Sequence, residues 1–320
     1  MSASPAPSVS DDNHVNMSAS TLSLASTAIG ADAVFDKSED LSASSSSCSS
    51  PASSYAATPI KAPKLNITKD HLAHLNSQFE HMDAMDVLRF ALVLFPGLYQ
   101  STAFGLTGLV TMDMLSKIQK SNPLLPQTEV FFLDTLYHFD ETYNLIDAVK
   151  TKYPNVKLHI FKPQNTETVA DFEEVYGAKL YETVPDLYDW YAKVEPLDRA
   201  YATLGVSAVL TGRRRSQGGV RGSIPVIEFD EERGIVKINP LVSWDFKRVQ
   251  AYIKDNEVPY NALLDRGYKS IGDWHSTSPV AEGEDERAGR WKGQNKTECG
   301  IHNRKSKYTQ LVTPSSQVTV

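Results

Sequence analysis

Apolar residues recur at helical spacing through residues 86–94 (DVLRFALVL). They do so again through 104–120, where Leu106, Leu109, Val110, Met114, Leu115 and Ile118 follow a 3.6-residue period. Between these two stretches, residues 98–101 read as a short strand. Residues 129–133 (EVFFL) are a continuous apolar run, as expected of a parallel strand buried on both faces. The pattern then alternates: a helix near 141–152, a strand near 157–161, helices at 170–176 and 186–204, and a strand at 207–210. Two further strands are predicted at 225–229 and 236–238, and a last helix at 244–254. Strand and helix in alternation predict an α/β fold with a mainly parallel sheet. No internal repeat interrupts the pattern.

The first sixty residues lack this patterning. They are rich in Ser, Ala and Pro, include the run Ser44 to Ser47, and carry almost no large apolar side chains. Such a segment cannot bury enough surface to offset its ordering entropy and is expected to be disordered. A mitochondrial presequence, the rival reading, would be rich in Arg and poor in acids. This stretch has no Arg and has six acids. The chain thus divides into a tail over 1–62, an α/β domain over 63–243, and a C-terminal helix followed by a polar, Gly-rich segment over 244–320.

Charge sharpens the picture. Of the net −7, the six acids against Lys37 in the tail account for −5, leaving −2 for the other 260 residues. A nearly neutral body argues against nucleic acid as a partner. No apolar run approaches the ~20 residues of a membrane span, and no charged n-region precedes an apolar stretch at the N-terminus. The two cysteines, Cys48 and Cys299, cannot form a disulfide framework, which points to a reducing, cytoplasmic setting. Nor can they hold a four-cysteine iron–sulfur cluster. The scattered Cys and His residues lack zinc-ligand spacing, so no metal is expected.

Four segments could carry chemistry. At the predicted strand-to-helix junction, Ser101, Thr102, Gly105, Thr107 and Gly108 are small or hydroxylated, and free N–H groups with a helix dipole favour an anion there. The Gly-Lys-Ser/Thr element of a P-loop is missing, and a plain βα turn with a hydroxyl cap is the alternative. Asp134 and Thr135 fall at the carboxyl end of the EVFFL strand, the edge where open α/β sheets bind ligands. A capping Asp among buried aromatics is the alternative there. Residues 212–221 hold Arg213, Arg214, Arg215 and Arg221 with Gln217, three glycines and no acid. Clustered like charges favour a bound polyanion, and guanidinium forks suit phosphate or sulfate oxygens. A nucleic-acid patch is the alternative. Cys299 lies in the polar stretch 296–302 near Lys296, Glu298 and His302, where an exposed, reactive thiol is expected. An inert cysteine is the alternative. His275, in DWHST at 273–277, is either an anion ligand or a loop hydrogen-bonder.

In order, TAFGLTG (102–108), LDTLYHF (133–139), KVEPL (193–197), GRRRSQGGVRG (212–222), GYKSIGDWHST (267–277) and KTECGIH (296–302) closely resemble the phosphoadenylyl-sulfate reductase family, the fungal enzymes most of all. The resemblance runs from about residue 86 to 302. It implies an adenine-nucleotide α-hydrolase-like (PP-loop) fold, a homodimer, and reduction of 3′-phosphoadenylyl sulfate within sulfate assimilation toward cysteine and methionine. It implies Cys299 as nucleophile, and substrate binding by the small residues of 101–108, Asp134, Thr135, the arginine segment, His275 and His302. The related enzymes that reduce adenylyl sulfate carry cluster-binding cysteines, or a fused thioredoxin-like domain with Cys-x-x-Cys. This chain has neither, which implies the 3′-phosphorylated substrate and no bound cofactor. One cysteine in the body leaves no internal resolving thiol, so an external dithiol such as reduced thioredoxin is expected as electron donor, with the cysteine segment opening to meet it. An ATP-dependent nucleotide transferase and a nucleotide-binding regulator without catalysis are the competing readings.

Overall fold

The computed structural model describes residues 65–292 together with Lys296, Glu298, Cys299 and Ile301. The expectations placed on the N-terminal tail, Cys48 and His302 fall outside these residues. Two helices, α1 (Lys69–Phe79) and α2 (Ala84–Leu94), precede the sheet. There follow β1 (Leu98–Thr102), α3 (Leu106–Ser121), β2 (Glu129–Leu133), α4 (Asp140–Lys152), β3 (Leu158–Phe161), α5 (Val169–Tyr176), α6 (Leu180–Thr183) and α7 (Pro185–Asp189). A π-helical turn, Trp190–Val194, joins α7 to α8 (Glu195–Leu204). The chain continues through β4 (Ala208–Leu210), β5 (Ile227–Asp230), β6 (Ile235–Ile238) and α9 (Phe246–Asp255).

The strands form a six-stranded sheet in the order β3-β2-β1-β4-β6-β5. All neighbours are parallel except β5 against β6. Gln100 of β1 stands in register with Val130 on one side and Leu210 on the other. Successive βα units run outward from β1 to β3, and the chain then returns to place β4 on β1's opposite flank. The loops leaving β1 and β4 therefore diverge, opening a crevice at the strands' carboxyl ends.

The sheet is covered because its apolar residues occupy both faces. Val130 and Phe132 join the larger core with α2, α3 and α4, while Phe131 and Leu133 point to the other side against Leu197, Ala200 and Val209. Val249 and Ile253 of α9 share the larger core. Helix starts are fixed locally: Asp83 and Asp245 accept the Asp86 and Arg248 N–H groups, and Thr168 with Asp171 forms a capping box. On α1, Asn76 donates to the Ile227 carbonyl and accepts its N–H, both at 2.9 Å. That side chain satisfies backbone groups of β5, which would otherwise be an open edge.

Candidate active site

A pocket of about 300 Å³ opens at the β1/β4 switch point. Its floor is the turn after β1. Thr102 Oγ1 accepts the Phe104 N–H at 2.9 Å, and Phe104 adopts φ 54° with its ring buried against Phe132. Gly105 is the N-cap of α3 and no side chain caps the helix, so its first-turn N–H groups lack intrahelical acceptors. They border the pocket with Ser101, Thr102, Thr107 and Gly108. Gly108 allows this close seating: a Cβ there would stand 2.9 Å from Thr102 Oγ1, and Gln100 Nε2 donates to its carbonyl at 2.6 Å.

The loop after β4 supplies the arginines, and it splits them. Arg213, Arg214, Gln217 and Arg221 line the pocket; Arg215 does not. Arg215, expected to bind substrate, instead turns outward to Glu80 at 2.8 Å and the Ile224 carbonyl at 2.8 Å. Arg214 is buried, donating to Thr107 Oγ1 at 2.9 Å and to both carboxylate oxygens of Glu286 at 2.8 and 2.7 Å. Arg221 grips Glu298 as a fork, Nε on one carboxylate oxygen at 2.7 Å and Nη2 on the other at 2.6 Å, and reaches Gln217 at 2.7 Å. Arg213 is held by Glu228 at 2.6 Å. Arg221 thus holds its carboxylate in the two-nitrogen fork geometry that also suits phosphate, while Arg214 meets both oxygens of its carboxylate through Nη2 alone.

The loop after β2 contributes less than expected. Asp134 does not line the pocket. Its Oδ1 accepts the Leu136 N–H at 2.9 Å and the Tyr143 hydroxyl at 2.8 Å, holding Leu136 at φ 70°. These bonds form the turn that follows β2. Thr135 does line the pocket and donates to Asp273 at 2.7 Å. Asp273 also accepts from Tyr188 at 3.1 Å and pairs with Lys193 at 2.8 Å, while Lys193 reaches Asp189 at 2.9 Å. Burial opposes charge on both partners. The opposite charges override it, holding Asp273 far below the usual carboxylate range and Lys193 above the usual lysine range.

His275 also stands away from the pocket lining. It stacks on Tyr181 at 3.9 Å, edge-on to Tyr137 and Tyr188. Its Nε2 has no hydrogen-bond partner, and Asp273 Oδ2 is 3.7 Å away. Burial pushes its pKa from 6.5 down to about 4, Lys193 adding to the fall and Asp273 opposing it. The unfolded chain therefore binds the extra proton first, and stability due to a neutral His275 is lost as pH falls from 6.5 toward 4. Urea midpoints at pH 7 and pH 5 should show this loss, and His275→Gln should shrink it; an unchanged difference would refute the assignment.

Cys299 closes the pocket. It is half-buried, where the sequence predicts an exposed thiol. Lys193, Arg287 and Arg290 all lie within electrostatic reach of its sulfur. The cysteine stretch is tied to the body by Glu298 on Arg221 and Arg287, by Lys296 on Asp189, and by the Ile301 carbonyl on Arg233. One pocket therefore holds open helix amides, guanidinium groups and a free thiol ringed by cations. A profile of the phosphoadenosine phosphosulfate reductase domain matches residues 97–279.

The chain belongs to this family. It is 57% identical over 250 residues to the phosphoadenosine phosphosulfate reductase of Emericella nidulans, covering 78% of this chain and 81% of that one. With the Saccharomyces cerevisiae enzyme it shares 51% over 250 residues, 77% and 94% of the two chains. The crystal structure of the Candida auris phosphoadenylyl-sulfate reductase, a phosphate complex, matches with a TM-score of 0.62 at 50% identity, over 68% of this chain and 100% of that one. The fold is the mainly parallel α/β sheet expected of the family. No helix among the described residues is long and apolar enough to cross a membrane.

Lys193, Asp273, Arg287 and Arg290 were not among the residues predicted to bind. Lys193 opens the KVEPL motif, the only local signal for it. Nothing in the sequence around Arg287 and Arg290 distinguishes them from solvated charges, because the pocket they enter also draws on loops from tens to nearly two hundred positions earlier.

Proposed function

We propose that this chain reduces 3′-phosphoadenylyl sulfate to sulfite and adenosine 3′,5′-bisphosphate, with reduced thioredoxin as electron donor, in the reducing setting of the cytoplasm. The observation that carries this reading is the free thiol of Cys299 in the same pocket as the α3 N-terminus and the guanidinium groups of Arg214 and Arg221. The substrate's phosphates take up the open amides of α3 and the guanidinium groups that Glu286 and Glu298 occupy. Lys193, Arg287 and Arg290 meet the sulfonate oxygens beside the sulfur.

The Cys299 thiolate attacks the sulfonate sulfur. The S–O bond to the 5′-phosphate breaks, and the bisphosphate leaves with that electron pair. Cys299 then carries an S-sulfonate. A thioredoxin thiolate attacks the Cys299 sulfur, sulfite departs with the S–S pair, and the second thioredoxin thiol resolves the mixed disulfide. Two electrons pass from the dithiol to the sulfonate sulfur, and Cys299 returns to its thiol. Mass spectrometry of the protein mixed with substrate alone should find one added SO₃ on Cys299, discharged as sulfite by thioredoxin. No adduct, or equal turnover of adenylyl sulfate, would overturn the reading.

The split of the arginines gives a second test. Arg221→Ala should weaken adenosine 3′,5′-bisphosphate by roughly tenfold or more, the value of a charged hydrogen-bonding fork, and should weaken it more than AMP. Arg215→Ala removes only a partly exposed pair, worth about 0–1 kcal/mol to the fold, and should leave both affinities unchanged by calorimetry. Equal losses in the two variants would return the arginines to a single undivided patch.

A further inference from the structure

Gly272 lies in the GYKSIGDWHST motif, and its backbone gives no reason for a glycine. Its φ is not among the positive values that Gly267 and Gly283 adopt at 87° and 86°. The reason is space. A Cβ at Gly272 would fall 2.2 Å from Nη2, 2.4 Å from Cζ and 2.6 Å from Nη1 of Arg290. The head of the guanidinium occupies the place where a side chain would begin. Gly289 offers a contrast: its added Cβ would meet the Ser278 carbonyl at 2.0 Å, a backbone atom that cannot step aside.

Arg290 is held from behind. Its N–H donates to the Arg287 carbonyl at 2.8 Å, residue 290 bridges to Thr277, and the guanidinium lies 4.5 Å from the Trp291 ring. Its Nε is buried with no hydrogen-bond partner. Asp273, Cys299 and Glu298 all favour its charge, against its burial and the neighbouring Arg221. A buried N–H with no acceptor is costly to keep, and here it stands in a pocket wall beside the thiol.

We propose that Gly272 is a positioning residue: its missing side chain keeps the Arg290 guanidinium against the pocket wall, where it meets the anionic sulfonate end of the substrate next to Cys299. This deepens the functional reading above and rests on it. Because the atoms displaced are the free end of a flexible side chain, a methyl group at 272 evicts Arg290 without breaking the fold.

The test is a cycle of Gly272→Ala, Arg290→Ala and the double variant. Gly272→Ala should keep its unfolding midpoint and its affinity for adenosine 3′,5′-bisphosphate, which lacks the sulfonate. It should form the S-sulfonate more slowly, by on the order of tenfold to a hundredfold, the worth of one charged donor to an anion. In the Arg290→Ala background the same change should add nothing, and a crystal structure of Gly272→Ala should show the guanidinium moved off residue 272. Wild-type S-sulfonation rate in Gly272→Ala, or the same loss again in the Arg290→Ala background, would overturn the proposal. So would unfolding of Gly272→Ala that Arg290→Ala does not relieve. If the wild type itself forms no S-sulfonate, the functional reading fails, while the crystal structure still decides whether residue 272 places Arg290.

Discussion

Cys299→Ser is expected to bind adenosine 3′,5′-bisphosphate normally and to form no sulfite above the background without enzyme. The argument is one of oxidation state as well as nucleophilicity. A serine oxygen that accepted SO₃ would form a sulfate ester, whose sulfur is no more reduced than in the substrate. Thioredoxin would then have no S–S bond to cleave, and hydrolysis would return sulfate. Only a sulfur nucleophile makes a bond that a second thiol can open with release of sulfite. The nucleotide contacts proposed above lie elsewhere, on the α3 N-terminus and on Arg214 and Arg221, so binding and turnover should separate cleanly. Sulfite measured from the serine variant would remove Cys299 from the mechanism.

Lys193→Met should be the most destabilising single change at the site. The Lys193 side chain is 8% exposed, and it pairs with Asp189 and Asp273, which are 6% and 3% exposed. Removing one partner of a buried pair leaves uncompensated charge, at a cost of about 3–5 kcal/mol. Asp189 retains Lys296, whereas Asp273 keeps the hydroxyls of Thr135 and Tyr188 and the charge of Arg290 but no other Lys or Arg ion pair among the described residues, so the strain falls on Asp273. The double variant Lys193→Met/Asp273→Asn should therefore recover part of the loss in urea unfolding. A single-variant loss below about 1 kcal/mol, the range of exposed pairs, would show that the network does not hold the site together. S-sulfonation should be slowed in both variants, since neither restores the Lys193 cation near the sulfur.

The parts of this fold that were legible in the sequence are those governed by local pattern. Residues 129–133 form β2 as read, because an uninterrupted apolar run has no alternative but burial on both faces. The helix read at 104–120 begins instead at Leu106, since Phe104 is spent in the left-handed turn that seats Gly105 as the cap. The single helix read at 186–204 is interrupted by the π turn at Trp190–Val194, which apolar spacing does not reveal. Helix α1 escaped the reading because its sequence, KDHLAHLNSQF, is mostly polar, and its contact with β5 runs through Asn76.

The same division holds for the site. The sequence brings three loops and one cysteine motif into view, and the structure gathers residues from each of them at one pocket. It did not sort the members of those segments. Arg213, Arg214 and Arg215 are consecutive, yet their partners are Glu228, Glu286 and Glu80. Which neighbour faces inward depends on carboxylates far away in the chain. Asp134 is a candidate ligand from its place at a strand's carboxyl end and His275 from the family resemblance; in the structure one shapes a turn and the other joins an aromatic stack.

The wide turn at Trp190–Val194 has a consequence for how this pocket tolerates change in length. A π turn holds one more residue than regular α winding. Deleting any one of its five residues would let α7 run unbroken into α8. The bulge absorbs that residue without changing the phase of the flanking helices, so the deletion would leave α7 and α8 in step and change only the winding between them. Removing a residue between Asp189 and Lys193 would bring Lys193 from four to three positions after Asp189 and re-aim one end of that ion pair. The wide turn is thus itself part of how the pocket is held, and length changes here should be less forgiving than substitutions on the exposed face of the same segment.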